Sequence, residues 1–269
     1  MTRECQGCRD GVPLPFEFTM AFQPILDLTQ DAIWGYEALV RGTEGQGAGQ
    51  ILAMVDEANR YKFDQACRVK AIELAGGLFP DAQTRLSINF MPNAVYEPAA
   101  CIRATLEAAR RVGFEHRRIM FEFTENERMM DVAHVQRIIA EYRKQGFATA
   151  LDDFGAGYAG LNLLANFQPD FIKLDMELIR DVATSLPRQK IVKAVVALAH
   201  ELSVAVIAEG VETEAELTTL RGIGIELFQG YLFAKPAVAS LPTVWLPERD
   251  FSHSKPTSSS RGAISADAA

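Results

Sequence analysis

The sequence predicts an α/β chain folded as a modified (β/α)8 barrel of the TIM type, with an antiparallel first strand. Three observations predict it. Short, continuous apolar runs alternate with longer segments whose apolar residues recur at helical spacing, as a parallel sheet covered by helices requires. The span from Phe16 to about Arg249 matches the roughly 250 residues such a barrel needs. The first two strand candidates are joined by Leu28 to Ile33, too few residues for a crossover helix, so they form a hairpin. A doubly wound open sheet would alternate similarly. However, no G-x-G-x-x-G follows a first strand, so a dinucleotide site gains no support.

Taken in order, residues 1–15 read as an irregular N-terminal arm, polar and broken by Gly7, Gly11, Pro13 and Pro15. The arm holds a C-x-x-C, Cys5 and Cys8. A structural zinc would need two more ligands, and Cys67 and Cys101 stand singly. A redox pair would need a strand-to-helix setting that is absent. No role is read into Cys5 and Cys8. Phe18 to Leu28 is the first strand, where Pro24 marks a bulge or an edge. Asp31 turns the chain, and Ile33 to Arg41 is the second strand. Trp34, Tyr36, Ala38 and Val40 alternate there with Gly35, Glu37, Leu39 and Arg41. Glu37 thus lies on a different face from the aromatics, and a glutamate in an apolar strand needs a partner. Residues 50–78 read as one helix.

The pattern then repeats. Arg85 to Phe90 is a strand with Asn89 near its end, followed by a helix over 98–112. Ile119 to Thr124 is a strand carrying Glu122, with Glu125 just after it, followed by a helix over 131–145. Ala148 to Leu151 is a strand that runs into Asp152 and Asp153 and then a glycine-rich turn. Phe171 to Leu174 carries Lys173, and a helix covers 187–202. Val204 to Ala208 ends at Glu209, and a helix covers 214–222. Leu227 to Phe233 is the last strand, with Gln229 inside it. Residues 16–249 form the barrel, and residues 250–269, rich in Ser and small residues, form a disordered tail.

Composition excludes several function classes. The net charge of −8 offers no basic field for duplex nucleic acid. The longest apolar run, 191–211, is interrupted by Lys193, His200, Glu201 and Glu209 and is no membrane span. No secretory leader opens the chain, and four cysteines are too few for a disulfide scaffold, so a cytoplasmic setting is expected.

The chemistry concentrates at strand ends. In a barrel the carboxyl ends of the strands converge on one mouth. There the sequence places Glu37, Asn89, Glu122, Asp152, Asp153, Lys173, Glu209 and Gln229. Helix caps and scattered ion pairs would explain one or two of these, but not one on nearly every strand. The carboxylates would repel one another without cations. Apart from Lys173 the set offers oxygen ligands, with no His or Cys, which favours Mg²⁺ or Mn²⁺ over zinc or copper. The number of donors suits two divalent cations, which activate a water and stabilise an in-line phosphoryl displacement.

At these residues the chain resembles the EAL-domain family of cyclic-di-GMP phosphodiesterases. The likeness runs through Phe22-Gln23-Pro24-Ile25, Glu37-Ala38-Leu39-Val40-Arg41, Ser87-Ile88-Asn89, Glu122-Phe123-Thr124-Glu125, Asp152-Asp153-Phe154-Gly155, Lys173-Leu174-Asp175, Glu209-Gly210-Val211-Glu212 and Gln229-Gly230-Tyr231. The resemblance implies a barrel with an antiparallel first strand that hydrolyses cyclic di-GMP to linear pGpG. It implies that Glu37, Asn89, Glu122, Asp152, Asp153 and Glu209 ligate two cations, Mg²⁺ or Mn²⁺. Lys173, Glu209 and Gln229 would surround the attacking water, with the general base left open between Glu209 and the metals. Gln23, Leu39 and Arg41 would line the substrate groove, Arg41 on a phosphate. Glu125 would hold the loop after the fifth strand, and Glu212 would support the site from outside. The family commonly dimerises along helices here near 160–166 and 187–202, so a homodimer is expected. Leu161, Leu163, Leu164 and Phe167 are candidates for that contact, or for core. The chain has no room for a fused sensor, so any signal would come in trans. In the loop after the fifth strand, Ala159 and Gly160 replace two serines of the family pattern, which implies reduced or differently regulated activity. The alternative is a non-catalytic module that binds the dinucleotide or a protein partner. An unrelated metal-dependent barrel enzyme is the third reading.

Overall fold

The computed structural model describes residues 13–95, 97–124, 132–157 and 160–247. Strands β1 (Phe18–Asp27) and β2 (Ala32–Gly42) form the expected antiparallel hairpin. Strands β3 (Arg85–Asn89), β4 (Ile119–Thr124), β5 (Ala148–Phe154), β6 (Phe171–Leu174), β7 (Ala205–Ala208) and β8 (Leu227–Phe228) follow β2 in parallel. β8 then pairs antiparallel with β1 and closes the barrel. A ninth strand, β9 (Ala237–Val238), not foreseen from the sequence, adds to β1 beside β8. β8 meets β1 at Leu26 and Asp27, and β9 meets it at Ala21 and Phe22. Pro24 stands in the interval between them, where its missing N–H interrupts no ladder on that side. The strand is therefore neither an edge nor broken by its proline.

The helices α1 (Ala48–Leu52), α2 (Arg60–Leu78), α3 (Pro98–Cys101), α4 (Arg103–Arg111), α5 (Val132–Lys144), α6 (Gly160–Asn166), α7 (Met176–Ile179), α8 (Leu186–Glu201) and α9 (Glu214–Ile223) accompany the barrel. The single helix expected over 50–78 is two. Between α1 and α2 the Asp56 carboxylate accepts the N–H groups of Ala58 and Asn59, while the Asn59 side chain accepts from Asp56 N–H and donates to the Met54 carbonyl. These local bonds offer the backbone an alternative to the helix. The segment over 98–112 is likewise divided at Ile102.

The sheet has two apolar faces. The larger cluster lies between barrel and helices, with Phe22, Phe121, Phe123, Tyr142 and Ile172 fully or almost fully buried. The smaller cluster fills the barrel, where Ile25, Met120, Ala150, Ile207 and Leu227 meet Trp34, Ala148 and Phe171. Trp34 packs edge-on to Phe171 at 5.2 Å, and the Arg85 guanidinium lies 4.9 Å over its ring. This corrects the simple alternation expected for β2. The register slips at Ile25/Leu26, which pair with Gly35 and Ile33 and leave Trp34 as an extra residue. A bulge of this kind lets Trp34 and Tyr36 point to opposite faces. Trp34 therefore shares the inner face with Glu37, whereas Tyr36 packs outward against Phe79.

The last strand is also shorter than expected. It ends at Phe228, so Gln229 lies just beyond it rather than inside. The chain then crosses the β7–α9 loop: Gln229 N–H donates to the Ala208 carbonyl, Val211 N–H to the Gln229 carbonyl, and Leu232 N–H to the Val211 carbonyl. A Cβ on Gly230 would sit 2.1 Å from the Val211 carbonyl oxygen, so only glycine permits this crossing. Residues 1–12 of the arm with Cys5 and Cys8, Glu125, Ala159 and the 248–269 segment lie outside the described residues. No helix among the described residues is long and apolar enough to cross a membrane.

Candidate active site

Period-two alternation builds the site. On five strands a polar residue stands two beyond an inward apolar one: Glu122 after Met120, Asp152 after Ala150, Lys173 after Phe171, Glu209 after Ile207 and Gln229 after Leu227. On the reversed strand β1 the order inverts, and Gln23 precedes Ile25. Glu37 on β2 pairs across with Gln23, and Asn89 on β3 pairs with Glu122. The structure thus brings together the eight strand-end residues expected from the sequence.

At the centre is Lys173, 1% exposed. Its ammonium lies 2.7 Å from Glu122 Oε2 and 3.3 Å from both Glu37 Oε2 and Asp152 Oδ1, and it also pairs with Glu209. Glu37 Oε1 accepts from Asn89 Nδ2 at 2.7 Å, and its Oε2 accepts from Gln229 Nε2 at 2.7 Å. Gln229 Nε2 also reaches Gln23 Oε1 at 3.2 Å, and Gln23 donates to the Ala234 carbonyl. Glu122 is fully buried beneath the others, with its second oxygen taken by the Ser87 hydroxyl. Ser87 is a site residue that strand-end polarity alone does not pick out; it stands two residues before Asn89 and so shares its inward face.

Asp152 and Asp153 are adjacent, and a regular strand would send them to opposite faces. The register of β5 on β6 slips between Leu151 and Phe154, and Asp153 adopts a left-handed φ of 54°. Aspartate tolerates this region better than most residues. Both carboxylates can then serve one site. Asp152, Asp153 and Glu209 each present an oxygen, and all three lie within 4.8 Å of one another. They form part of a cleft of about 330 Å³ whose walls include Gln23, Leu39, Asp175 and Tyr231.

The electrostatics are unbalanced. Burial raises Glu37, but the Lys173 charge and the bonds from Gln229 and Asn89 outweigh it and hold the carboxyl below its usual value. Burial, followed by the charges of Glu37 and Asp152, pushes Glu122 well above the usual range despite Lys173. Burial and the neighbouring Asp152, Glu37 and Glu122 do the same to Glu209. Burial and Glu37 raise Asp152 against the pull of Lys173. Burial, Asp152 and Asp175 push Asp153 up to about 6. For Lys173 the four carboxylates overcome burial, and the ammonium keeps its proton far above neutrality.

This donor set fits hard divalent cations. It is made of oxygens, its carboxylates repel, and Asp152 Oδ1 and Gln229 Oε1 are buried with no aligned hydrogen-bond donor. Other residues singled out from the sequence lie further out. Leu39 lines the cleft, whereas Arg41 is half-buried beyond that lining and donates to the Val40 carbonyl at 2.7 Å. Glu212 is exposed on the cleft rim. Its backbone N–H is held by Glu216, which also completes the capping box of α9 with Thr213. Of the residues considered for a subunit contact, Leu163, Leu164 and Phe167 are core, while Leu161 is 63% exposed.

A family model described as the EAL domain matches residues 15–236. A standalone versatile EAL protein from Vibrio cholerae O395, solved in its c-di-GMP bound form, is similar at 53% identity with a TM-score of 0.83; the match covers 86% of this chain and 97% of that one. Klebsiella pneumoniae BlrP1, solved as a manganese/cy-diGMP complex, is similar at 35% identity with a TM-score of 0.78, covering 86% of this chain and 57% of that one. The cyclic di-GMP phosphodiesterase NbdA of Pseudomonas aeruginosa is 30% identical over 231 residues, 82% of this chain and 29% of NbdA. The chain spans 29% to 57% of the length of the first curated relatives it matches.

Proposed function

The chain belongs to the EAL domain family, and on that footing we propose that it is a metal-dependent phosphodiesterase that hydrolyses cyclic di-GMP to linear pGpG. The observation that carries the proposal is the convergence of Asp152, Asp153 and Glu209 oxygens within 4.8 Å, beside a buried Lys173 at the floor of an open cleft. Asp152, Asp153 and Glu209, with Glu37, Asn89 and Glu122 behind them, would hold two cations, Mg²⁺ or Mn²⁺. Such ions supply a water of lowered pKa and neutralise charge on the phosphoryl oxygens. Manganese in the BlrP1 complex supports this assignment.

The chain's own residues do the rest. In the hydrolysis a water oxygen forms a bond to phosphorus as the bond from phosphorus to the 3′ oxygen breaks. The water's proton leaves toward a carboxylate, and the 3′ oxygen takes a proton. Glu209, with its raised pKa and partial exposure, is suited to receive the proton. Lys173, fixed by its carboxylates, orients the water and adds positive charge where negative charge develops. Gln229, held between Glu37 and Gln23, fixes the side of the cleft nearest β1. Gln23 and Leu39 border the substrate, and Arg41 reaches a phosphate once it leaves the Val40 carbonyl. Glu212, on the cleft rim, supports the site from outside. Exposed Leu161, Leu186 and Ile191 on α6 and α8 support pairing with a second copy, which light scattering at micromolar protein would test.

The experiment for the activity is turnover of cyclic di-GMP with Mg²⁺, Mn²⁺ or EDTA, beside Glu37→Ala. The expected result is linear pGpG with either cation and none in EDTA or in the variant. Turnover that survives EDTA would remove the metal from the mechanism. Tight dinucleotide binding without turnover under any condition would make the chain a receptor module instead.

A further inference from the structure

We infer that the buried Asp64–Arg68 pair on α2, outside the barrel, is a positioning device for Asn89 and Glu122. The inference rests on the cation site proposed above. Arg68 is 0% exposed and Asp64 3%. The two form an ion pair one helical turn apart. The pair reaches the site by two routes. Asp64 Oδ1 accepts the Met91 N–H at 2.9 Å, and Met91 lies two residues after Asn89. Arg68 Nη1 lies 3.3 Å from the Tyr142 hydroxyl on α5. The Tyr142 ring packs against Phe90 at 5.6 Å and Phe121 at 4.9 Å. Phe90 in turn meets Phe121 and Phe123, the two outward residues that flank Glu122. Phe90 N–H also donates to the Glu122 carbonyl at 2.9 Å.

Asn89 and Glu122 point into the barrel, and their immediate neighbours in sequence point out into this clamp. Stability alone does not call for such a pair. Well-packed apolar residues of similar volume serve a buried layer equally well or better. What apolar residues lack is direction. Asp64 holds one particular N–H, and through it the end of β3 that carries Asn89.

The test is calorimetric titration of the full chain with Mn²⁺ alone, with the thermal midpoint and the kcat and KM of hydrolysis measured in parallel. The double variant D64L/R68M removes both charges and the acceptor. D64N/R68Q removes the charges but keeps an oxygen for Met91 N–H. M91P leaves the ion pair whole and removes the N–H it holds, while drawing the backbone at 91 from φ −100° toward the −65° of proline. We expect D64L/R68M and M91P to fold and to bind Mn²⁺ roughly tenfold or more weakly, as supporting-shell losses do. Their kcat should fall while KM holds, and D64N/R68Q should bind as the wild type does. Wild-type Mn²⁺ affinity in folded D64L/R68M or M91P overturns the inference. If D64L/R68M does not fold, M91P decides alone. A wild-type chain that takes up no Mn²⁺ overturns the cation-site reading, and this inference with it.

Discussion

Two buried charge clusters lie back to back across the same strands and are built to opposite ends. Outside the barrel, one arginine meets one aspartate, and the remaining bonding capacity goes to the Tyr142 hydroxyl and the Met91 N–H. The charges cancel and the polar groups have partners. Inside the mouth, one ammonium faces Glu37, Glu122, Asp152 and Glu209, with Asp153 alongside. The charges do not cancel, and Asp152 Oδ1 is left without an aligned donor. A closed network serves architecture. A network with excess negative charge and open oxygens is prepared for a ligand that brings positive charge.

The contrast can be broken by mutation, and the largest effect should come from the closed cluster. Arg68→Ala strands a buried aspartate, and chemical denaturation should show a loss of about 3–5 kcal/mol. A loss below about 1 kcal/mol would mean that water reaches the pair. In the open cluster, Lys173→Met should lower turnover by roughly 10²–10³-fold, as losing a positioned charge stabiliser does. The fold should survive when divalent cation is present, because the ion supplies the missing positive charge. Near wild-type turnover in that variant would remove Lys173 from the reaction.

Next in size is the effect of the cation itself. An ion that binds only the folded chain, at a hundred times its dissociation constant, adds about 2.7 kcal/mol. The raised carboxyls set how this depends on pH. Burial and the neighbouring Asp152 push the Asp153 carboxyl up to about 6 from its ordinary 3.8, so between these values the folded state holds a proton that the unfolded state has lost. Without metal, stability therefore falls as pH rises through that window. Glu122 and Glu209, raised well above the usual range, extend the fall toward higher pH. Added Mn²⁺ should raise the thermal midpoint more at pH 8 than at pH 5. An equal shift at both would show that these carboxylates do not face the ion. The smallest effect should be that of Ser87→Ala. It frees one oxygen of buried Glu122 and should cost about 0.5–1.5 kcal/mol of stability in the metal-free chain, the scale of a neutral hydrogen bond. If cation restores none of that loss, Glu122 belongs with the closed cluster rather than the open one.

Much of the open cluster was legible in the sequence because it follows alternation along strands. Met120 and Glu122, or Ile207 and Glu209, share a face by a rule that needs only one strand at a time. Family motifs added Gln23, which meets Gln229 from the other end of the chain. The closed cluster was not legible. Asp64 and Arg68 read as an ordinary pair on a helix at i, i+4 spacing, which is usually a solvated pair. Their burial depends on how α2 lies against the barrel, and their link to Met91 spans a loop that no periodicity describes.

By itself, then, the sequence determined the barrel, its reversed first strand and the oxygen-rich ring at its mouth. Each of these follows from residue type, from period and from a connection too short to cross. Only the tertiary structure decided how adjacent residues divide between faces. Trp34 turns inward because β2 carries one residue more than β1 opposite Leu26. Asp153 stands with Asp152 because β5 slips on β6 and the backbone there is left-handed. A bulge is a property of two strands in register, and neither strand alone contains it.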